Sequence, residues 1–195
     1  MRSTRILLLT IFSFTLFACQ SGPKPIDDLT DHSFELINQN NEKVTFPDDY
    51  DGKYLVMGFI YTNCPDVCPL ITQNLIKIQK ELGYPEDVQF LGLTFDPKRD
   101  TPEKLKEYKG LFNLEDNFDF LTADSSTVSE FMDSVRVRSQ VSFTQVREDG
   151  KEVYFMNHSD KIMVVNPKGQ VIYEYGGSMK QVPKLVIEDI QKVRN

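Results

Sequence analysis

The chain has 195 residues, of which 40% are hydrophobic and 26% are charged, a composition that suits one globular domain with an apolar core. Its formal net charge is −7, so the chain lacks the positive field that attracts nucleic acid or anionic lipid. We therefore expect no nucleic-acid partner.

The first residues have the features of a secretory signal peptide. Arg2 and Arg5 form a basic start, and a largely apolar run follows at 6–17. This run is shorter than the roughly 20 apolar residues that cross a bilayer as a helix. We therefore predict a signal peptide over 1–18 and a domain that lies outside the cytoplasm.

Cys19 follows the apolar run and the small residue Ala18, an order similar to a bacterial lipobox. In a lipobox, cleavage before the cysteine frees it for acylation. We predict that Cys19 is lipidated and that 19–32, which is polar and contains proline, tethers the domain to the membrane. This makes the protein an extracytoplasmic, membrane-anchored lipoprotein. The alternatives are an uncleaved anchor and an ordinary signal peptide in which Cys19 has no role.

The rest of the chain, 33–195, alternates between strand and helix patterns and shows no internal repeat. The order of elements predicts an α/β domain, with a mixed sheet covered by helices on both faces. Strands are predicted at 34–37, 43–46, 53–61, 88–95 and 118–123, in a hairpin within 141–156 that turns at 147–152, and in a hairpin within 161–177 that turns at 166–169. Helices are predicted at 70–82, from 102, from 124 and at 182–193.

Capping residues indicate where two of these helices begin. Thr101 is a good N-cap, and Pro102 suits the first helical position. Thr127 and Glu130 have the spacing of a capping box near the start of the next helix. On the last helix, the apolar residues expected on one buried face are Val182, Leu185, Val186, Ile190 and Val193.

Two cysteines, Cys64 and Cys68, follow the predicted strand at 53–61 and have three residues between them. Functional groups of α/β sheets gather at this edge, just past the carboxyl ends of the strands. If a helix begins near Cys64, both thiols share one helix face, roughly 6 Å apart along its axis, and the helix N-terminus favours the Cys64 thiolate. That separation suits a disulfide and also a soft metal ion held by two thiolates. The spacing alone leaves both possibilities open.

His158 is the candidate for a third ligand. The chain has only one other histidine, His32, at the end of the predicted tether, for which we expect no role. A lone histidine in a polar gap between hairpins is ordinarily an exposed loop residue, but His158 precedes a strand that must join the sheet beside the cysteines. Two thiolates and one imidazole form a trigonal set that suits copper, whereas structural zinc normally has four ligands.

Three segments give the chain a specific resemblance to a known family. They are FIYTNCPDVCP at 59–69, LTFDPKRDTPEKL at 93–105 and NHSDKIMVVNPKGQVIYEYGG at 157–177. In order and spacing they resemble the Sco family, also called SenC, of membrane-tethered thioredoxin-fold proteins, over about 34–194. The resemblance implies a thioredoxin-like mixed sheet flanked by helices, with an N-terminal hairpin and an inserted hairpin before the His-bearing loop.

The resemblance also implies a function. Copper, as Cu(I) or Cu(II), is expected to bind Cys64, Cys68 and His158 and to be delivered to the dinuclear copper site of a cytochrome c oxidase subunit. The same cysteines are alternatively a redox-active pair that reduces the cysteines of that site, with a thiol–disulfide reductant as a further partner. Asp96 matches the family's acidic residue beside the site, where it either orients a ligand or caps the turn after its strand. Asp66 either affects thiol acidity or is a solvated carboxylate at the helix start.

Two other functions are less well supported by the residues. A general thiol–disulfide oxidoreductase needs both cysteines without His158, and such proteins usually place a cis-proline before the strand opposite the cysteines. Asn157, His158 and Ser159 stand there instead. A peroxidase of the peroxiredoxin type needs a proline upstream of its cysteine, and 53–63 contain none. We therefore favour a copper metallochaperone.

Overall fold

The computed structural model describes residues 22–114, 117–150 and 152–194. The predicted signal peptide over 1–18 and the predicted lipidation site Cys19 lie outside these residues. Within the described ranges, no helix has both the length and the apolar character needed to cross a bilayer.

Apart from a two-residue first strand and a short 3-10 helix, the described chain contains strands and helices in the order that the sequence predicts, which confirms the α/β class. The strands are β1 (Asp27–Asp28), β2 (Phe34–Asn38), β3 (Lys43–Phe46), β4 (Tyr54–Ile60), β5 (Val88–Thr94), β6 (Phe118–Thr122), β7 (Ser139–Val146), β8 (Glu152–His158), β9 (Ile162–Val165) and β10 (Gln170–Tyr175). The helices are α1 (Val67–Glu81), α2 (Pro102–Leu111), α3 (Ser125–Ser134) and α4 (Val182–Arg194), with a 3-10 helix at Asp48–Tyr50.

Eight of the strands form one mixed sheet, in the order β1-β10-β9-β4-β5-β6-β2-β3. The central strands β4, β5 and β6 run parallel, while β9 and β2 run antiparallel to β4 and β6. The residues of β4 and β5 are almost all buried, as expected for apolar strands in the middle of a covered sheet. Cys64 follows β4 and Asp96 follows β5, so both lie at the carboxyl edge of the parallel strands, as the sequence predicts.

Helices cover both faces of the sheet. Helices α1, α2 and α4 lie on one face, where the ring of Tyr108 in α2 packs edge-on against Phe120 of β6, with centroids 5.3 Å apart. On the other face, Phe131 of α3 packs against Phe34 and Phe46, with centroid distances of 4.9 and 5.0 Å. These aromatic contacts join the N-terminal hairpin of β2 and β3 to the rest of the core.

Strands β7 and β8 form a separate hairpin, inserted between α3 and β9. Its turn contains Gly150 with φ of 76°, a left-handed conformation that glycine adopts without steric cost. The predicted inserted hairpin is therefore confirmed, but the predicted loop position of His158 is wrong. His158 is the last residue of β8, because strand pairing continues to the base of the hairpin, where His158 lies opposite Ser139.

Helices α2 and α3 both begin where the sequence predicts, but the residue that caps α3 is not Thr127. The Thr101 side chain accepts a hydrogen bond from the Lys104 N–H at 3.4 Å, and Pro102 is the first helical residue. At α3, however, the N-cap is Asp124, whose carboxylate accepts a hydrogen bond from the Thr127 N–H at 3.1 Å. Thr127 therefore lies within the first turn, because the carboxylate three residues upstream already caps the helix.

Leu185 of α4 is 39% exposed, contrary to the prediction that it shares the buried face of that helix. Val182, Val186 and Ile190 are buried and follow one another at intervals of four residues. Leu185 precedes Val186 and is therefore rotated by about 100° from it, which places its side chain at the border of the buried stripe.

The sequence led us to expect that the folded domain begins at about Ser33. The domain begins earlier than this. Strand β1 pairs with β10 at the edge of the sheet, and Leu29 is buried in the core. Part of the predicted tether over 19–32 therefore belongs to the sheet. Its polar composition concealed this, because a two-residue edge strand of aspartates has no apolar periodicity.

Candidate metal centre

Two neighbouring cysteines and a histidine 90 residues further along the chain bring their donor atoms together beyond the carboxyl edge of β4. Cys64 lies in the loop between β4 and α1, Cys68 in the first turn of α1, and His158 at the end of β8. Their two sulfur atoms and an imidazole nitrogen all lie within 4.8 Å of one another. No other set of three metal-ligating side chains is so close within the described part of the chain.

The loop before α1, and not a shared helix face, brings the two cysteines together. Helix α1 begins at Val67, so Cys64 precedes it. The Cys64 N–H donates a hydrogen bond to the Tyr61 carbonyl at 3.2 Å, which turns the loop back toward the strand. The Cys68 N–H then donates to Cys64 Sγ at 3.4 Å. A first-turn N–H has no partner within its own helix, so it is free to bind the sulfur.

The two thiols differ in exposure and acidity. Cys64 is half-buried, and hydrogen bonding from Cys68 is the main cause that lowers its pKa from 9.0 to about 3, against the opposing effect of burial. The same contact, together with burial, raises the pKa of Cys68 above its ordinary value. The pair therefore consists of an accessible thiolate and a buried thiol. The Tyr61 N–H, 3.5 Å from Cys68 Sγ, contacts the buried sulfur.

A backbone contact orients the imidazole of His158. Nδ1 lies 2.9 Å from the Ser159 carbonyl oxygen, and since a carbonyl only accepts hydrogen bonds, Nδ1 carries the hydrogen. Nε2 faces the sulfur atoms, 3.5 Å from Cys68 Sγ. The ring packs on Phe95 with centroids 4.7 Å apart and meets Tyr61 edge-on at 6.1 Å. Holding one ring nitrogen in this way is how proteins prepare the other nitrogen as a metal ligand.

The protonation of His158 depends on opposing effects. Burial disfavours the charged imidazolium, but the Cys64 thiolate and the Ser159 carbonyl favour it, and together they raise the pKa of His158 above its ordinary value. A metal ion that binds Nε2 must displace any proton held there. Metal affinity at this site is therefore expected to increase with pH across the titration of the imidazole.

The donor set fits a soft metal ion. Sulfur and imidazole ligands lie about 2.0–2.3 Å from a metal, so three of them in a trigonal site are about 3.5–4 Å apart. The observed 3.5 Å between Cys68 Sγ and His158 Nε2, and the 4.8 Å that bounds all three atoms, are close to this arrangement. Two thiolates with one imidazole suit copper in both of its common oxidation states.

The site opens onto a depression of about 440 Å³ on the surface. The depression lies between the start of α1 and the β7–β8 hairpin, and it is lined by Cys64 and His158 together with apolar residues of both elements. Its apolar lining includes Pro65, Val67, Phe155 and Met156. A protein segment can therefore reach Cys64 from solvent, whereas Cys68 lies behind it.

Asp96 contacts neither of the cysteines nor His158 through any hydrogen bond found among the described residues. Its carboxylate instead binds the Arg99 Nε–H and accepts a hydrogen bond from the Tyr154 hydroxyl at 2.6 Å. Its N–H donates to the Thr94 hydroxyl at 2.9 Å, so it also stabilises the turn after β5. Any effect of the Asp96 carboxylate on a ligand is therefore indirect, through the residues that it binds.

Asp100 is a site residue that sequence reasoning missed. It is fully buried and accepts hydrogen bonds from the Thr62 N–H at 3.0 Å, the Thr62 hydroxyl at 2.5 Å and the Thr94 hydroxyl at 2.5 Å. It thereby ties the loop that carries Cys64 to the end of β5. Burial raises the pKa of Asp100, while the threonine hydrogen bonds act in the opposite direction. The available signal was a second aspartate, four residues after Asp96, in the same loop.

Two further residues considered from the sequence lie apart from the donor atoms. His32 is exposed and stacks on Phe34, with ring centroids 5.7 Å apart. Asp66 is the exposed N-cap residue of α1 and makes no capping hydrogen bond with its side chain. His32 therefore has no part in the site, and Asp66 lies at its solvent-facing rim.

Comparison with known proteins identifies the family. The model of the SCO1/SenC family matches residues 24–195. The chain belongs to the SCO1/SenC family. The match confirms the resemblance carried by the three sequence segments, and it covers every residue of the site, from Tyr61 to Ser159.

Individual SCO1/SenC proteins resemble the chain over most of its length. The SCO1 protein homolog of Bacillus subtilis (strain 168) is 29% identical over 189 residues, which are 94% of each protein. The crystal structure of a SCO1/SenC family lipoprotein from Bacillus anthracis str. Ames has a TM-score of 0.72 and 27% identity, covering 90% of this chain and 100% of that one. The crystal structure of Arabidopsis thaliana ScoI with copper bound has a TM-score of 0.67 and 26% identity, covering 83% and 98%. These structures confirm the predicted thioredoxin-like fold.

Proposed function

We propose that this SCO1/SenC protein binds copper through Cys64, Cys68 and His158 and takes part in assembling the dinuclear copper site of cytochrome c oxidase. The observation that carries the proposal is the convergence of two sulfur atoms with an imidazole nitrogen whose ring partner, Nδ1, is already bound to the Ser159 carbonyl. The copper-bound structure of the Arabidopsis relative supports the choice of metal.

In this proposal copper is cargo, and the chain's residues determine how it is held and reached. Cys68 is buried and His158 is packed on Phe95, so these two donors are fixed by the fold. Cys64 lies in a loop at the depression and is half-exposed. A thiolate or imidazole of a recipient protein therefore meets the Cys64 side of the site first, which suits transfer by ligand exchange better than permanent storage.

The proposal includes a location outside the cytoplasm, with the protein anchored to the membrane through a lipid on Cys19. The basic and apolar pattern before Cys19 supports it, as does the lipoprotein relative from Bacillus anthracis. The domain beginning near β1 would then be joined to the membrane by a short polar segment, which keeps the depression within reach of a membrane-bound oxidase subunit.

An anaerobic titration of the full-length protein with Cu(I), against a competing chelator, tests the proposed site. We expect one copper per chain, with affinity strongly reduced in His158→Ala, because the trigonal set loses its only nitrogen donor. His32→Ala is the matched control, since His32 is exposed, stacks on Phe34 and does not belong to the cluster of donor atoms. Binding of less than one copper, or equal affinity in His158→Ala and His32→Ala, contradicts the three-ligand proposal.

The acidity difference between the cysteines favours a second candidate function, reduction of the partner's disulfide. The Cys64 thiolate attacks one sulfur of that disulfide, and a mixed disulfide forms as the other partner sulfur leaves as a thiolate. Cys68 then loses its proton and attacks Cys64 Sγ, which releases the second partner thiolate. Two electrons pass from the Cys64–Cys68 pair to the partner, and an external thiol reductant must restore the pair.

The two functions differ in their need for His158. Reduction of the disulfide form of an oxidase copper-site domain, followed by the appearance of free thiols, requires both cysteines but no imidazole. We expect His158→Ala to retain this electron transfer while losing copper affinity, and Cys68→Ser to stop after the mixed disulfide. If Cys68→Ser accumulates no mixed disulfide with that domain and wild-type protein generates no free thiols on it, the reductase function is excluded and copper delivery remains.

A further inference from the structure

A network of contacts joins the loop after β5 to strand β8. The Arg99 Nε–H binds the Asp96 carboxylate, and Arg99 Nη1 donates a hydrogen bond to the Tyr154 carbonyl at 2.8 Å. The Tyr154 hydroxyl donates in turn to Asp96 Oδ1 at 2.6 Å. We call these three residues, Asp96, Arg99 and Tyr154, the Arg99 clamp. Through Arg99 and Asp96, the loop after β5 thus binds both the backbone carbonyl and the side-chain hydroxyl of Tyr154 in β8.

Aromatic rings enclose the charge at the centre of the clamp. Arg99 Cζ lies 3.5 Å from the centroid of the Tyr154 ring and 5.5 Å from that of Tyr61. Arg99 Nη2 is buried and has no hydrogen-bond partner in the described ranges. The two tyrosine rings supply cation–π attraction to the guanidinium. A buried donor left without a hydrogen bond is costly, and the contacts that the other atoms of Arg99 make offset this cost.

Tyr154, the residue of the clamp that lies on β8, is four residues upstream of His158. The β7–β8 hairpin is separate from the main sheet, and nearly all of β7 is exposed. Near its site end, β8 meets the body through the Arg99 clamp and through the Met156 N–H, which donates to the Tyr61 hydroxyl at 3.3 Å. At the base of the hairpin, the Ser159 N–H donates to the Arg138 carbonyl at 2.8 Å. That last contact ties the hairpin's own two strands together.

We propose that Arg99 and Tyr154 are positioning residues, which hold β8 against the body so that Nε2 of His158 faces Cys64 and Cys68. Asp96 acts in this arrangement by fixing Arg99 and Tyr154, and not by touching a ligand. Whether the clamp makes the hairpin rigid in the metal-free protein is independent of the proposed function. The measurements on the copper-bound protein rest on that function.

Hydrogen–deuterium exchange of the full-length, metal-free protein tests whether the clamp holds β8 against the body. Tyr154→Phe removes the hydroxyl bond to Asp96 but keeps the ring over Arg99, and Arg99→Gln removes the cation. Tyr175→Phe is the matched control, because the Tyr175 hydroxyl donates a similar bond, at 2.9 Å, to Asp189 of α4. We expect amide exchange in β8 to accelerate about tenfold in Tyr154→Phe and more in Arg99→Gln, with no change in Tyr175→Phe.

Copper spectroscopy tests whether the clamp also orients Nε2 of His158 toward the two cysteines. In the Cu(II) form, the electron paramagnetic resonance spectrum reports nitrogen coordination, and sulfur-to-copper absorption reports the thiolates. We expect Tyr154→Phe to retain the thiolate absorption, to show weakened or mixed nitrogen hyperfine structure, and to release copper about tenfold faster. Arg99→Lys, which keeps the charge but not the two directed N–H bonds, is expected to resemble Arg99→Gln more than wild type.

Each result decides the proposal. Unchanged β8 exchange in Tyr154→Phe overturns it, and this variant keeps the test available even if Arg99→Gln does not fold. Faster β8 exchange with an unchanged Cu(II) spectrum and release rate also overturns it, because His158 would then be placed without the clamp. If wild type itself binds no copper, the proposed function fails and the exchange experiment alone decides whether the clamp holds β8.

Discussion

Asp100 receives hydrogen bonds from both the backbone N–H and the hydroxyl of Thr62, so a buried carboxylate after β5 fixes the loop that carries Cys64. The Thr94 hydroxyl gives the same carboxylate a third hydrogen bond. The two loops at the carboxyl edge of β4 and β5 are thus joined behind the cysteines. The geometry of the site therefore depends on a residue that contacts none of the three proposed ligands through a hydrogen bond.

Asp100→Asn is expected to destabilise the protein by about 1–3 kcal/mol, because the amide nitrogen cannot accept the hydrogen bonds that one carboxylate oxygen accepts. Chemical denaturation of the metal-free protein measures this. Since burial raises the pKa of Asp100 in the folded state, folding favours the protonated acid. Its contribution to stability is therefore largest at low pH and is lost as pH rises through the folded pKa.

The matched pH experiment compares the two proteins from pH 4 to pH 8. Asp100→Asn cannot titrate at this position, so the stability difference from wild type should shrink as pH rises above the ordinary aspartate range. A difference that grows with pH would contradict the raised pKa. The control is Asp87→Asn, because Asp87 forms an exposed ion pair with Arg194 away from the site.

Gly92→Ala is expected to destabilise the core. A Cβ at this position in β5 would lie 2.4 Å from two ring atoms of Phe120 on the neighbouring strand, and Phe120 is fully buried. Because the ring is fixed by its packing, the strand must shift, at a cost of about 1–3 kcal/mol. Gly110→Ala in α2 is the control, since nothing lies within 4 Å of its added Cβ. Equal thermal stabilities of the two variants would rule out this packing constraint.

Much of the fold could be predicted because its elements rest on local patterns. Unbroken apolar runs located the buried strands β4 and β5, and the Thr101 and Pro102 pair located the start of α2. The start of α3 near 124 was also predicted, but the capping box of Thr127 and Glu130 was wrong, because Asp124 competes with Thr127 as the cap and accepts the free N–H groups of the first turn. Local patterns do not rank such competitors.

The three proposed ligands could be selected from the sequence because cysteine and histidine are scarce in this chain. The residues that place them could not. The contact between Arg99 and Tyr154 joins positions 55 residues apart, and it exists only because the inserted hairpin folds back over the loop after β5. Arginine and tyrosine are common residue types, and nothing in the sequence distinguishes these two from others of the same type. Only the relative position of two elements gives this pair a role.

Cys19→Ser tests the proposed anchor. If Cys19 carries a lipid, wild-type protein expressed in a bacterial host should incorporate radiolabelled palmitate and sediment with membranes, and Cys19→Ser should do neither. Cys64→Ser is the control, because it removes a thiol from the folded domain and leaves the N-terminal segment intact. Palmitate incorporation that persists in Cys19→Ser would refute lipidation at this cysteine, and the domain would then need another tether.

The acidity of Cys64 predicts an unusual pH profile of thiol reactivity. An ordinary thiol loses thiolate about tenfold with each pH unit below its pKa, but the hydrogen bond from Cys68 lowers the pKa of Cys64 to about 3. Alkylation of Cys64 by iodoacetamide in the metal-free protein should therefore be almost independent of pH between 5 and 8. Peptide mass spectrometry measures this reaction separately for each cysteine.

Comparing Cys68→Ser with Cys68→Ala tests whether a hydrogen bond from the side chain at position 68 causes the low pKa of Cys64. Serine can still donate a hydrogen bond to Cys64 Sγ, whereas alanine cannot, although both keep the backbone N–H that lies 3.4 Å from it. We expect the midpoint of the alkylation profile to rise in Cys68→Ala and to stay lower in Cys68→Ser. Cys68 itself, whose pKa is raised by the same contact and by burial, should remain unmodified in wild type throughout this range. A Cys64 rate that falls tenfold per unit between pH 8 and pH 5 would show that the thiolate is not stabilised, and the nucleophile required for disulfide reduction would be missing.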